Sequence, residues 1–188
     1  SSEIAVNGDT RTVTYGAAVL ATGGRESVPD EYEYGNHDCI LTHLQFDQLL
    51  ETGAGRIKTA DAAVFIQCVG SRDERRPYCS RVCCTHTVQS AVELKTINPQ
   101  MNVYVLYRDI RTYGVREDLY TQARQMGVIF IRFDPAKKPQ VILADNEISV
   151  QVDDPVLQMP LQIATDYLIL AAAIEPTDNS SLVELYKY

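Results

Sequence analysis

Apolar and polar positions alternate at the start of the chain and then gather into runs. Residues 3–6 and 12–15 alternate around Asn7-Gly8-Asp9. Asn-Gly accepts the positive φ angles of a tight turn, so a hairpin is expected there. Residues 16–21 read as a continuous apolar strand closed by Thr22-Gly23-Gly24. The acidic stretch 26–36 reads as a connecting loop. Thr42 then stands where it can cap a helix over 43–51, with Leu44, Leu49 and Leu50 inward and Gly53 and Gly55 ending it. Residues 62–68 form an apolar run that reads as a buried strand. Behind it Val82, Ala91, Val92 and Leu94 recur at helical spacing.

The second half repeats this grammar. Strands over 101–107 and 128–133 enclose a helix over 118–126, with Asn98-Pro99 and Gly127 as punctuation. Residues 140–144 and 147–152 flank Asp145-Asn146, a second hairpin signal, and 156–163 add a third strand. Residues 167–172 are apolar throughout and belong inside a sheet. A helix is expected over 182–188. Strand, helix, strand, helix, strand, meander and final strand is the order of an α/β fold: a Rossmann-like parallel sheet with an antiparallel β-meander. The G-x-G-x-x-G that should follow the first strand of a dinucleotide site is missing, and only Gly70 remains of it. No nicotinamide nucleotide is therefore assigned.

What stands in its place is a group of thiols. Cys68, Cys79, Cys83 and Cys84 are spaced C-x10-C-x3-C-C. Cys68 falls at the carboxyl end of the predicted strand, where ligands of such sheets bind. Cys79 and Cys83 are expected to share a face of the following helix, with Cys84 beside them. Four thiolates suit zinc or a four-iron, four-sulfur cluster. Paired C-x2-4-C knuckles are absent, and the side chains of adjacent Cys83 and Cys84 diverge by ~100° around a helix. A wider cubane accommodates that divergence better than one zinc ion does. Buried inert thiols are the plainer alternative, and Cys68 alone would fit it. Arg72, Arg75, Arg76 and Arg81 crowd the segment. They either offset an anionic centre or pair with Asp73 and Glu74 on an exposed loop. Cys39 lies near His37 and His43, but no orienting acid accompanies them, so it reads as an isolated thiol.

Composition narrows the class. The 188 residues carry 17 Lys and Arg against 25 Asp and Glu, a net charge of −8, which disfavours nonspecific binding to nucleic acid or anionic membrane. No apolar run approaches the ~18 residues of a membrane span. An odd cysteine count, clustered in one segment, points to a reducing cytoplasm rather than to a secreted disulfide scaffold. The chain opens with Ser-Ser and enters a strand at once, which reads as a piece excised from a longer protein.

The run Q-C-V-G-S-R-D-E at 67–74, followed by Y-C-S-R-V-C-C at 78–84, closely resembles the A subunits of heterodisulfide reductases and their relatives. The resemblance extends from A-A-V-L-A-T-G-G at 17–24 to D-Y-L-I-L-A-A-A-I-E-P at 166–176. It implies a flavoprotein with a thioredoxin-reductase-like core, in which the corresponding cysteines bind a non-standard iron–sulfur cluster. It implies that Ala21, Thr22, Gly23 and Gly24 pass near FAD in the intact protein. Residues 1–24 would then be a fragment of the FAD domain and 25–60 a connector with a short helix. Residues 61–176 would be the Rossmann-like domain with its inserted cysteine loop, and 177–188 the start of the return to the FAD domain. The FAD fingerprint is not in this chain, so FAD is expected to bind it weakly or not at all. The function expected from the resemblance is electron relay between FAD and iron–sulfur centres in an oxidoreductase. Its partners would be other subunits of the same kind or ferredoxin- and hydrogenase-type electron carriers, with self-association left open. A structural zinc or partner-docking module and a thiol–disulfide catalyst at Cys83 and Cys84 are the alternatives.

Overall fold

The structure, a computed structural model, describes residues 1–186. The opening alternation folds as a hairpin of β1 (Ser2–Val6) and β2 (Asp9–Val13), with Val6 opposite Asp9. Asn7 and Gly8 make the turn at φ 52° and 90°, and so tight a turn starts the second strand earlier than the alternation suggests. The strand expected over 16–21 does not form: this stretch has no regular pairing, and Val19 is 86% exposed. An apolar run becomes a strand only where a neighbour accepts its ladder hydrogen bonds, and none of the described residues does so.

Short strands β3 (Gly24–Glu26) and β12 (Ile174–Pro176) pair where the chain divides into two units. Ser1–Arg25 with Pro176–Tyr188 form one, and Glu26–Glu175 the other. The smaller unit carries α4 (Ser180–Tyr186). Positions 187 and 188 of the expected helix lie outside the described residues.

The larger unit begins its sheet with β4 (Ile40–Thr42), a short edge strand that no periodicity announces. Thr42 and Gln45 then form a capping box at the start of α1 (His43–Ile57). Gln45 Oε1 accepts from the Thr42 backbone N–H at 2.9 Å, and Thr42 Oγ1 from that of Gln45 at 3.5 Å. The helix does not stop at Gly53 and Gly55. It continues to Ile57, which is fully buried, and that burial overrides the weak helix propensity of glycine. Leu44 is 54% exposed rather than inward; Phe46 takes the core position instead.

Next come β5 (Ala62–Val69), α2 (Cys83–Ile97), β6 (Asn102–Tyr107), a 3-10 turn at Gly114–Arg116, α3 (Glu117–Gln125) and β7 (Ile129–Arg132). The meander is β8 (Gln140–Ala144), β9 (Glu147–Asp154) and β10 (Met159–Thr165). Its last strand starts later than expected, because residues 155–158 are spent on a turn in which Gln158 has φ 55°. The chain returns as β11 (Tyr167–Ala172). The parallel sheet has the order β4-β11-β5-β6-β7, so β11 is interior and β5 is its middle strand.

Alternate residues of β5 explain the layering. Ala63 and Phe65 face α1 and α2, with Phe46, Val88, Ala91 and Leu94. Val64 and Ile66 face the meander, with Ile148, Val150, Val152 and Ile163. A strand buried on both faces must be apolar without interruption, which is how 62–66 reads. Phe46 packs edge-on to Phe65, ring centres 5.9 Å apart. Phe46→Ala should lower stability by about 3–5 kcal/mol in urea unfolding, whereas Leu44→Ala should change it by less than about 1 kcal/mol.

Candidate metal centre

The carboxyl end of β5 departs from regular geometry. Ile66 pairs with Leu170 and Val69 with Ala172, so β5 spends an extra residue against β11. Cys68 lies in that bulge at φ 63°, a left-handed conformation uncommon for a residue with a Cβ. The loop from Gly70 to Val82 is pinned by its own backbone: Arg72 N–H reaches Tyr78 O at 3.2 Å and Asp73 N–H reaches Arg76 O at 3.2 Å. Arg72 and Arg81 also have positive φ. Tyr78 donates its hydroxyl to Ile174 O, and Ser80 Oγ accepts from Ile174 N–H, which ties the loop to the start of β12. The first turn of α2 has no side-chain cap at Val82.

The four thiols of the segment lie near enough to act on one another's charge. Cys68 comes from the bulge, Cys83 and Cys84 from the first turn of α2, and Cys79 from the loop. Cys79 is not on the helix face that spacing predicts for it, because α2 begins only at Cys83. Cys83 Sγ points to Ala172 O at 3.8 Å and Cys84 Sγ to Asp109 O at 3.9 Å. Cys79 Sγ accepts from Arg81 N–H at 3.4 Å. Burial, and then the neighbouring thiols Cys84, Cys68 and Cys79, push Cys83 up to about 12. Burial chiefly, with Cys68 and Cys79 adding to it, pushes Cys84 up to about 11. Burial raises Cys68 as well, against the guanidinium of Arg72. Among the described residues no three His, Cys, Asp or Glu side chains are close enough to hold a single metal ion, and all five cysteines are free thiols.

Cys39 lies at the opposite, amino-terminal end of the strands. Its carbonyl accepts from Leu168 N–H, and its backbone N–H, not its thiol, meets His37 Nδ1 at 3.0 Å. The loop before it reaches back to the thiol segment. Asp30 pairs with Arg75, Glu31 Oε1 accepts from Gly70 N–H at 3.1 Å, and Tyr32 and Glu33 hold φ of 61° and 57°.

Of the four arginines picked out by sequence, Arg72 brings its guanidinium to a thiol, with Nη1 4.0 Å from Cys68 Sγ, while Arg81 reaches Cys79 only through its backbone N–H. The guanidiniums of Arg75 and Arg76 turn to carboxylates other than the adjacent Asp73 and Glu74, although Arg76 N–H donates to Asp73 Oδ1 at 2.7 Å. Arg75 forms a bidentate pair with Asp30, and Arg76 pairs with Glu175. Residues that sequence reasoning passed over complete the electrostatics. Asp109 bridges Arg72 and Arg111. Burial raises its carboxyl, but hydrogen bonds from the two guanidiniums outweigh this and hold it below the ordinary value. Arg108 donates to Arg72 O at 3.1 Å, and its Nε is buried with no partner. The signal for this group was its place directly after β6, at the same carboxyl edge of the sheet.

A buried polar chain adjoins the thiols. Gln67 Nε2 donates to Thr87 Oγ1 at 2.5 Å, and Thr87 Oγ1 lies 2.9 Å from His43 Nε2. The His43 and His86 rings are 4.4 Å apart, and His86 meets Asp47 at 2.9 Å. In the smaller unit, Thr22 Oγ1 donates to Asn179, and the carbonyls of Thr22 and Gly23 accept from Thr177. Gly23 has φ 72°, while Ala21 and Gly24 are exposed.

No family profile matches the chain. It is 35% identical to the iron-sulfur A subunit of the CoB–CoM heterodisulfide reductase of Methanocaldococcus jannaschii, over 90% of this chain and 28% of that protein. It is 36% identical to the A subunit of the H2/formate:CoB-CoM heterodisulfide,ferredoxin reductase of Methanococcus maripaludis, over 87% of this chain and 27% of that one. The chain therefore spans little more than a quarter of the length of these curated relatives. In fold it is similar to T. acidophilum thioredoxin reductase, with a TM-score of 0.55 at 14% identity over 93% of this chain and 49% of that one. That likeness shows a mixed α/β fold of the two-dinucleotide-domain flavoprotein type.

Burial first, and His86 second, lower the His43 pKa from 6.5 to about 3. The folded value lies below the unfolded one, so this contribution is whole above about pH 6.5 and is lost as pH falls, by at most about 1.4 kcal/mol per pH unit. Asp47, and Glu26 with a carboxyl raised by burial, face the same rings and remain in a His43→Gln variant. That variant should show a flatter loss of stability than the parent between about pH 7 and about pH 4. Parallel urea midpoints across that range would contradict this account.

Proposed function

Because the chain belongs, over the segment compared, to the family of heterodisulfide reductase A subunits, we propose that it is the electron-transfer segment of a flavoprotein oxidoreductase of that kind. In this reading Cys68, Cys79, Cys83 and Cys84 ligate one four-iron, four-sulfur cluster. The observation that supports it is that four thiols, from a strand end, a loop and a helix start, act on one another's charge at the sheet edge where this fold otherwise receives a dinucleotide. Corners of a cubane are spread wider than the ligands of one ion, which suits thiols that interact without closing on a single metal site.

When bound, the cluster supplies one-electron transfer. The protein's own part is to hold and tune it. The cysteines must lose their protons to ligate, and burial favours the protonated form of Cys68, Cys83 and Cys84 until they do. Arg72 and Arg108, with Arg111 oriented by Asp109, offset the negative charge that thiolates bring. The turn at Gly70 is closed to pyrophosphate: Arg76 Nη1 donates to Gly70 O at 3.1 Å and would lie 3.5 Å from a Cβ at that position. By analogy with the relatives, Ala21, Thr22, Gly23 and Gly24 lie near FAD in the intact protein, and the smaller unit is part of its flavin domain. Residues 25–60 then bridge to a Rossmann-like portion at 61–176. The partners are other heterodisulfide reductase subunits or ferredoxin- and hydrogenase-type carriers, and the chain by itself is not active.

After anaerobic reconstitution, Cys→Ala at position 68, 79, 83 or 84 should each lose most bound iron and sulfide, and Cys39→Ala none. A cluster that survives Cys84→Ala but not Cys39→Ala would refute this ligand set. NADH and NADPH should show no micromolar binding by calorimetry; a tight complex on the Gly70 turn would show that Arg76 does not close it.

A further inference from the structure

Gln67 is 2% exposed, yet its Oε1 has no hydrogen-bond partner. A buried unpaired acceptor costs about 1–3 kcal/mol, so its retention here asks for a reason. The residue immediately precedes Cys68. Its one partner, Thr87, lies four residues after Cys83 and therefore on the same face of α2. The carboxamide thus sits between two elements that deliver thiols.

The chain Gln67, Thr87, His43 can reverse its direction. With Gln67 donating to Thr87, the Thr87 hydroxyl proton is free to go to His43 Nε2, with the neutral imidazole proton on Nδ1. If the amide turns over, Thr87 donates to Gln67 Oε1 and accepts from His43 Nε2–H. Both arrangements use the same positions, and Thr87 and His43 are 0% and 4% exposed, so water does not compete. The reversed one leaves an NH2 group where the unpaired oxygen was. Beside protonated thiols the choice matters little. Beside thiolates an acceptor is repelled and a donor is attracted.

We propose that Gln67 is a tuning residue of the thiol centre, turning its amide NH2 edge to the ligating thiolates, with Thr87 and His43 as the reversible support that holds it there. This rests on the cluster reading above. N–H···S hydrogen bonds stabilise the more negative, reduced state of a cluster and raise its reduction potential.

The test is redox titration of the reconstituted intact chain, followed by electron paramagnetic resonance, with iron and sulfide assayed in parallel. Gln67→Leu removes the donor, and Gln67→Glu replaces it with an acceptor of nearly the same shape. Both should keep the iron content of the parent and shift the midpoint potential downward, Glu further than Leu. Thr87→Ser keeps the hydroxyl and should leave the potential in place, while Thr87→Val should move it in the same direction as Gln67→Leu. Unchanged potentials in both Gln67 variants would overturn the proposal. Loss of iron from both would also overturn it, because Gln67 would then serve assembly rather than tuning. A parent chain that takes up no cluster sinks the cluster reading first, and that failure is visible before any variant is made.

Discussion

The placement of β5 between β11 and β6, buried along both faces, is the constraint on which the rest depends. Its ladders leave no freedom of register: a slip of one residue would send Ala63 and Phe65 to the meander and Val64 and Ile66 to the helices. The bulge at Cys68 is tolerable only because the ladder resumes at Val69 opposite Ala172. That single interruption takes one thiol out of the alternation and aims it at the edge of the sheet. The strain of a left-handed cysteine is held in place by the pairing on either side of it.

Electrostatics at that edge run against the character of the chain. A net charge of −8 would by itself make a site for anionic ligands unwelcome. Locally the balance is reversed, since Arg72, Arg108 and Arg111 gather around one carboxylate, Asp109. Even so, the rise of Cys83 from 9.0 to about 12 means that an unligated thiolate there is disfavoured by about 4 kcal/mol. The arginines do not make reactive free thiolates. In the cluster reading proposed above, they lower the cost of thiolates whose charge is shared with the bound centre. This argues against thiol–disulfide catalysis at Cys83 and Cys84, which needs a low thiol pKa and access.

The fold places thiols and ion pairs at the carboxyl edge of its parallel sheet. Gly70 stands at the turn after β5, where Arg76 donates to its carbonyl and pairs with Glu175. The loop at Asp30–Glu33 is drawn onto the same segment by Arg75 and Gly70. The start of α2 carries two thiols, Cys83 and Cys84.

The sequence by itself determined the buried strands, the meander, the turns at Asn7-Gly8 and Asp145-Asn146, and the clustering of four thiols apart from Cys39. These are local matters: periodicity is set by burial of one face or two, and turn residues by their own φ. Tertiary structure decided the rest. Residues 16–21 are no strand, because a strand needs a neighbour that no periodicity can supply. The helix from His43 runs through two glycines because Ile57 has a core to enter. Cys79 stays off the helix, since Tyr78 and Ser80 are held by Ile174, 96 and 94 positions away. The arginine partners Asp30, Asp109 and Glu175 lie 45, 37 and 99 positions from the residues they hold. Charge pairing acts through space, and the chain order that brings such groups together is known only once the sheet has closed.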